Sequence, residues 1–242
     1  MSIELVNISK SYVTRGHRKQ VFKNLNLLIP KGMNLGVIGP NGAGKSTLLA
    51  MIAGGLQADS GRIIRKMSVS WPIGYSGGVA TNLSGVANCR FIARLYGKNP
   101  AHVVDFVRDF TELEEVLDWP VKTYSSGMRG RLNFALSMAI DFDCTLVDEG
   151  MGAGDQFFRR KSDALIVERR RKSSFVFVTH SLGEVIQHCD QVLVLGGPEP
   201  VLSDDVEARV NEYIALMTQQ REEKQQISLT QEDPALLADS IT

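Results

Sequence analysis

The eight residues Gly39-Pro40-Asn41-Gly42-Ala43-Gly44-Lys45-Ser46, followed by Thr47, constrain this chain more than any other stretch. They match GxxxxGK[ST] and stand where that pattern has physical meaning. An all-apolar run, Leu35 to Ile38, precedes them, and an apolar helical one, Ser46 to Ala53, follows and closes at Gly54-Gly55. A strand that turns sharply into a helix brings backbone N–H groups and the positive helix end to one point. Lys45 adds charge there, and the Ser46 hydroxyl can reach Mg²⁺. The segment therefore predicts a cradle for the phosphates of ATP-Mg²⁺. Glycine-rich strand-to-helix turns also occur without ligands, but a full match in this setting leaves little room for that alternative.

A chain of 242 residues suffices for one well-packed α/β domain with a helical insertion, and is short for two full domains. Lysine plus arginine (27) equals aspartate plus glutamate (27), so no global field draws the chain to nucleic acid or to an anionic surface. Cys89, Cys144 and Cys189 form neither a CxxC pair nor a metal-spaced cluster, which predicts free thiols in a reducing compartment. The N-terminus lacks the charged-then-apolar pattern of a targeting segment, and no run of about 18 apolar residues occurs. A cytoplasmic chain that does not itself cross a membrane is expected.

Short runs rich in Val, Ile and Leu recur at Leu35 to Ile38, Thr145 to Val147, Phe175 to Val178 and Val192 to Leu195. Apolarity without alternation suits strands covered on both faces, as in a parallel sheet. Helical stretches near Met128 to Ile140 and Gln156 to Arg170 alternate with them, pointing to a doubly wound α/β core. Ile3 to Ile8 and Gln20 to Ile29 read instead as strands of an antiparallel β portion, flanking a polar loop from Arg15 to Lys19. Between Val86 and Tyr124, Phe91, Ile92, Leu95, Val103, Val104, Phe106, Val107 and Phe110 fall at helix-compatible spacing, which predicts an inserted helical subdomain. After Ser203 and Asp204, Val206, Val210, Ile214 and Met217 predict a last amphipathic helix, giving way at Gln219 to a polar, mobile tail.

A second informative run is Cys144-Thr145-Leu146-Val147-Asp148-Glu149, an apolar strand ending in paired carboxylates. Acids at the carboxyl end of a buried strand lie at the ligand edge of such a sheet. Asp148 is the candidate Mg²⁺ partner, and Glu149 the candidate for orienting or deprotonating the attacking water. A lone Asp-Glu after a strand is common, but its pairing with the phosphate loop favours the functional assignment. Thr179-His180 ends the next apolar strand at the same edge and makes His180 a candidate γ-phosphate sensor. His17, His102 and His188 lack such a position and are assigned to the surface or the structure.

Tyr124-Ser125-Ser126-Gly127-Met128, upstream of the acids and opening a helical run, resembles the LSGGQ signature of ABC ATPases. The resemblance spans roughly Ile3 to Met217 and implies the ABC ATPase fold: an α/β P-loop core with a parallel sheet, an N-terminal antiparallel β portion and a helical subdomain at about 86–138. It implies one ATP-binding domain over 1–218 and a flexible tail over 219–242. In that family the signature of one subunit closes over ATP held by the P-loop of another, so Ser125 and Gly127 are expected to meet the γ-phosphate in trans. Tyr12 matches the aromatic position that stacks on adenine, and Asp155 the acidic residue in the loop after the paired carboxylates.

The family usually carries a Gln between P-loop and signature, yet no Gln occurs between Gln57 and Gln156. Tyr75 falls near the expected place, and the Gln's role passes to no residue here. Trp71-Pro72-Ile73-Gly74, the Tyr-Ser-Ser-Gly-Met signature and Gly154-Asp155-Gln156-Phe157-Phe158 resemble ATPases that export bacterial polysaccharides, capsule exporters in particular. Some O-antigen relatives append a sugar-binding β domain, whereas about 25 residues follow Met217 here, which tilts the resemblance toward the capsule type. It implies a second copy of the chain and a transmembrane permease as partners, and a peripheral place on the cytoplasmic face of the inner membrane. Periplasmic and outer-membrane export components are further partners it admits.

A P-loop kinase or GTPase would not need Tyr124 to Met128. A non-transport ABC protein would need tandem motors or long heptads. Export of O-antigen, teichoic acid or a lipid by the same motor stays open. The basic runs Arg159 to Lys161 and Arg169 to Lys172 read first as solvated helix faces, with contact to lipid headgroups or glycan as the alternative.

Overall fold

The computed structural model describes residues 1–14, 16–73, 78–148, 155–179 and 181–232. Strands β1 (Ser2–Thr14) and β2 (His17–Pro30) form an antiparallel hairpin, and β4 (Ser60–Arg65) pairs along the other edge of β1. Both hairpin strands run further than their apolar runs predict, and the expected loop from Arg15 to Lys19 shrinks to a tight turn, with Thr14 paired to His17 and Gly16 at φ 82°. Ile3 and Leu5 face the core, then Ile8 does, so the alternation changes phase between them. A slip of one residue would turn the rest of the strand outward. Asn7, at φ 52°, sits in the irregularity that absorbs it, and Asn24, at φ 51°, does the same between Phe22 and Leu25. Asparagine tolerates this left-handed conformation better than most residues. Each bulge is tied across the hairpin: Asn7 N–H donates to Asn26 Oδ1 at 2.9 Å, and Asn24 N–H to Ser9 Oγ at 3.1 Å.

The second sheet has the order β5 (Cys144–Val147), β6 (Ser174–Val178), β3 (Asn34–Ile38), β7 (Gln191–Val194), β8 (Val201–Ser203). Its first four strands are parallel, and β8 closes the edge antiparallel to β7. Every residue of β3 and β5 is buried, the polar Asn34 and Thr145 together with their apolar neighbours. Residues 68–73 run beside β5: Ser70 N–H donates to Cys144 O at 2.9 Å and Ile73 N–H to Leu146 O at 2.8 Å. Helix α1 (Lys45–Ala53) is wedged between the two sheets with Leu48, Leu49, Met51 and Ile52 all buried, and Gly54, at φ 86°, terminates it.

The helical lobe is built from α2 (Gly85–Leu95), α3 (Pro100–Thr111) and α4 (Ser126–Ala139), with two 3₁₀ turns, Glu114–Asp118 and Val121–Thr123, between α3 and α4. Ser84, Asn99 and Ser125 cap the three helices by accepting from backbone N–H groups. Their apolar faces meet around Ile92, Val107, Phe110, Leu117 and Phe134, and α5 (Gln156–Arg170) adds Phe158 and Ile166 to the same core. α6 (Leu182–His188) and the start of α7 (Val206–Glu232) cover the opposite side through Val185, Val206 and Val210. α7 continues to Glu232, past Gln219 where the sequence pattern predicts its end. Gln and Glu residues there favour helix even without an apolar face, and Gln219 bonds Glu223 one turn on, at 3.0 Å. Among the described residues, no helix is long and apolar enough to cross a membrane.

Candidate nucleotide site

The loop after β3 has the backbone that its glycines foretell. A Cβ on Gly39 (φ 151°) would lie 2.5 Å from Leu195 O, and one on Gly44 (φ 103°) 2.3 Å from Val21 Cγ1, so no other residue fits either place. Ala43 N–H donates to Pro40 O at 3.2 Å, closing the turn, and Leu48 N–H to Gly44 O at 2.8 Å starts the helix. Lys45 is buried and folds over the loop, its Nζ 2.7 Å from Gly39 O, which holds the ammonium at the cradle's mouth.

Tyr12 approaches from β1, its hydroxyl 3.3 Å from Thr47 Oγ1. Lys19, on β2, donates to Gly42 O at 3.1 Å. Asp148 arrives at the end of β5, and the register explains why: Val37 lies opposite Val178 and Val147 opposite Phe177, so β3, β5 and β6 end side by side. Tyr12, Lys19, Lys45, Ser46, Thr47 and Asp148 all line one cleft of about 420 Å³. A larger cleft of about 690 Å³ between β2 and residues 195–200 contains none of Lys45, Ser46 and Asp148, so the smaller one is the chemical candidate. Glu149 and His180, the two residues predicted to act on water and on the γ-phosphate, lie outside the described residues, as does Tyr75. Each directly follows a described residue, Asp148 or Thr179, at this sheet edge.

The signature residues are not in this cleft. Ser125 is exposed at the start of α4, where its Oγ accepts from Met128 N–H at 3.2 Å, and a Cβ on Gly127 would meet nothing nearer than Ser125 Oγ at 3.9 Å. Tyr124 anchors the segment: it is buried, its hydroxyl donates to Val116 O at 2.7 Å, and burial pushes its pKa above the usual phenol value. Asp155 caps α5 by accepting from Phe158 N–H at 2.9 Å, the bond that most lowers its pKa, and its other oxygen pairs with Arg131 of α4 at 2.6 Å. The structure therefore places Asp155 against the signature helix, away from the P-loop cleft of its own chain.

Three groupings escape sequence reasoning. Lys19 reads as part of a polar loop, although alternation along a strand puts it beside the cradle. Asn88 is buried and pins the approach to α2 through Ala80 N, Ala80 O and Ser84 O, a pattern with no local sequence mark. Asp143 gathers Lys31 Nζ (2.6 Å), Ser68 N (3.0 Å) and Ser68 Oγ (2.8 Å); the lysine, foremost, holds its carboxyl down to about 2. That node fastens residues 68–73 to β5.

The basic runs are largely engaged within the chain. Lys161 bonds Glu112 at 3.0 Å, Arg169 pairs with Asp141, Arg170 donates to His188 O, and Lys172 reaches Glu168 at 3.4 Å. Cys89 and Cys144 are buried, and burial pushes both thiols up to about 12.

With this geometry in place, three comparisons bear on it. A family model described as "ABC transporter" matches residues 22–152. The chain is 45% identical over 214 residues to the polysialic acid transport ATP-binding protein KpsT of Escherichia coli, covering 87% of this chain and 96% of that protein. It is 39% identical over 214 residues to the capsule polysaccharide export ATP-binding protein CtrD of Neisseria meningitidis, covering 88% and 99%. Its fold superposes with a TM-score of 0.71 on the dimeric ATP-binding cassette MJ0796 bound to ADP and phosphate, at 20% identity, over 83% of this chain and 97% of that one.

Proposed function

Since the chain belongs to the ABC transporter family, we propose that two copies of it enclose two ATP molecules and that this closure drives a membrane permease. It is the ATP-binding and hydrolysing subunit of an exporter of capsular polysaccharide. The observation that carries this reading is a phosphate cleft lined by Tyr12, Lys45, Ser46, Thr47 and Asp148 in a chain that resembles polysialic acid and capsule exporter subunits along nearly its whole length.

In this reading the backbone of Gly39 to Gly44 and the Lys45 ammonium bind the β- and γ-phosphates, and the Tyr12 ring lies against adenine. Ser46 and Asp148 hold Mg²⁺: both line the same cleft, and their oxygens are the hard donors that this ion takes. The ion, when bound, spreads the charge of the phosphate oxygens. Glu149 orients or deprotonates the attacking water and His180 contacts the γ-phosphate. Positioning and charge stabilisation supply most of the rate, since phosphoryl transfer asks for little covalent work from the protein. Ser125 and Gly127 complete the site of the other copy, which accords with the exposure of Ser125, the open space around Gly127 and the absence of both from the lining of their own cleft. The helical lobe meets the permease, the pair sits peripherally at the cytoplasmic face of the inner membrane, and periplasmic and outer-membrane components carry the glycan onward.

The test replaces the chain in its native cell by Lys45→Ala at equal protein level and locates surface polysaccharide by fractionation. Loss from the surface with accumulation inside is expected. Unchanged surface polysaccharide would reassign the motor to an O-antigen, a teichoic acid or a lipid.

A further inference from the structure

We infer that the cleft of about 690 Å³ between β2 and residues 195–200 is a second binding site, for a small anionic sugar, and that filling it weakens ATP binding. Lys19 and Lys23 of β2 line it, and Glu199 is the one acid among the described residues that do, so two lysines against one acid leave the lining net positive. Gln20, Asn24 and Asn41 add side-chain amides, each with a donor and an acceptor, the two functions that sugar hydroxyls need to meet. No aromatic ring lines the cleft among the described residues, which disfavours a nucleotide base and contrasts with the neighbouring cleft, where Tyr12 stands. The ligand class that fits is a sugar bearing a carboxylate or a phosphate.

The wall between the two clefts is thin and shared. Asn41 and Gly42 of the phosphate loop line both, and so does Lys19, whose Nζ donates to Gly42 O at 3.1 Å. Lys19 therefore stands within reach of a ligand on either side. Its acceptor in the empty cleft is a neutral carbonyl, and a carboxylate or phosphate oxygen is a stronger one. Lys19 is exposed, so little packing resists its turning to an anion in the larger cleft. That turn takes a cation from the nucleotide cleft and releases the tip of its loop. The opposite wall bears on the same loop. A Cβ on Gly196, at φ 99°, would lie 2.7 Å from Pro40 Cδ, so residues 195–200 rest directly against it. A sugar gripped between β2 and these residues presses on residues 40–43 from both sides. Every residue involved belongs to one chain, so the site does not depend on the two-copy reading above.

The full chain is titrated with glucuronate and with glucose 6-phosphate, glucose serving as the neutral control. Binding is read by calorimetry and, in parallel, as the apparent Kd of a fluorescent ATP analogue. Both anionic sugars should bind, and each should weaken the analogue by about 5-fold or more and then level off, the mark of two sites coupled through the protein. By the same linkage, ATP should weaken sugar binding by an equal factor. Lys23→Met, outside the nucleotide cleft, should weaken the sugars by about 10-fold, and Glu199→Gln should tighten them by about 3-fold, both with unchanged analogue affinity in the absence of sugar. Lys19→Met should abolish the coupling. Analogue binding that keeps weakening without a plateau would place the sugar in the nucleotide cleft itself and overturn the inference. Equal binding of glucose, no calorimetric binding of either anionic sugar, or sugar affinities unmoved in Lys23→Met and Glu199→Gln would overturn it as well.

Discussion

The phosphate cleft and the signature helix differ in how completely one chain builds them. The cleft is assembled by β1, β2, α1 and the segments that follow β3 and β5, around a loop in which a Cβ on Gly39 or Gly44 would come under 3 Å from a neighbour. The signature stands alone at the tip of α4, with Tyr124 anchored behind it and Ser125 exposed to solvent. Binding machinery that must grip a phosphate at any moment is preorganised from many elements, while a group that acts only on closure is held locally, Ser125 Oγ by Met128 N–H alone among the described residues, and left at the surface. The contrast predicts that damage to the two regions separates nucleotide binding from turnover.

The sharpest way to break the comparison is Gly127→Arg. Space around Gly127 is open within the chain, so the variant should fold and bind ATP as the wild type does. ATPase activity should fall by about 100-fold or more, the scale of losing one group that stabilises transition-state charge. Normal turnover would mean that nothing closes on this face.

A smaller effect is expected from Gly85→Ala. A Cβ there would lie 2.6 Å from the Tyr124 hydroxyl and 2.9 Å from Leu117 O, so either the phenol leaves Val116 or the 3₁₀ turn shifts. Overpacking of this kind costs about 1–3 kcal/mol, visible as a lowered melting temperature. ATP affinity should be preserved while turnover drops, because the disturbance reaches the signature and spares the cleft.

The smallest effect tests the node that fixes residues 68–73. The carboxyl of Asp143 titrates at about 2, below its ordinary 3.8, chiefly because Lys31 bonds the charged form. The folded state thus binds its proton more weakly than the unfolded one. The stabilisation is complete above about pH 4, near the unfolded value, and disappears as pH falls through about 2. Asp143→Asn should flatten the stability curve across that window and leave ATPase activity at neutral pH nearly unchanged. Acid unfolding profiles of the two proteins check it.

Much of the core can be read from the sequence because its demands are local. Only glycine satisfies positions 39 and 44, strands buried on both faces are apolar through most of their length, and Asp155 as a cap puts the start of α5 at Gln156, as its pattern predicts. What could not be read depends on residues far apart in the chain. The phase change at Asn7 and Asn24 exists only because both strands share one core face, and residues 68–73 reveal their place only through β5. Arg131 and Asp155 are 24 residues apart on different helices, with nothing in either neighbourhood to mark the pair. The candidate site divides along the same line: Tyr12, Lys45, Ser46, Thr47 and Asp148 converge as their motifs imply, while Lys19 becomes legible only when β2 is seen to run through the expected loop.

The central claim, that the site is completed by a second copy, is tested most directly by sedimentation of the Glu149→Gln chain with and without ATP-Mg²⁺. The account predicts a species of 26.6 kDa without nucleotide and a doubling of that mass with it, abolished by adding Gly127→Arg. A chain that stays single at saturating ATP, or hydrolyses ATP at full rate while single, would contradict it.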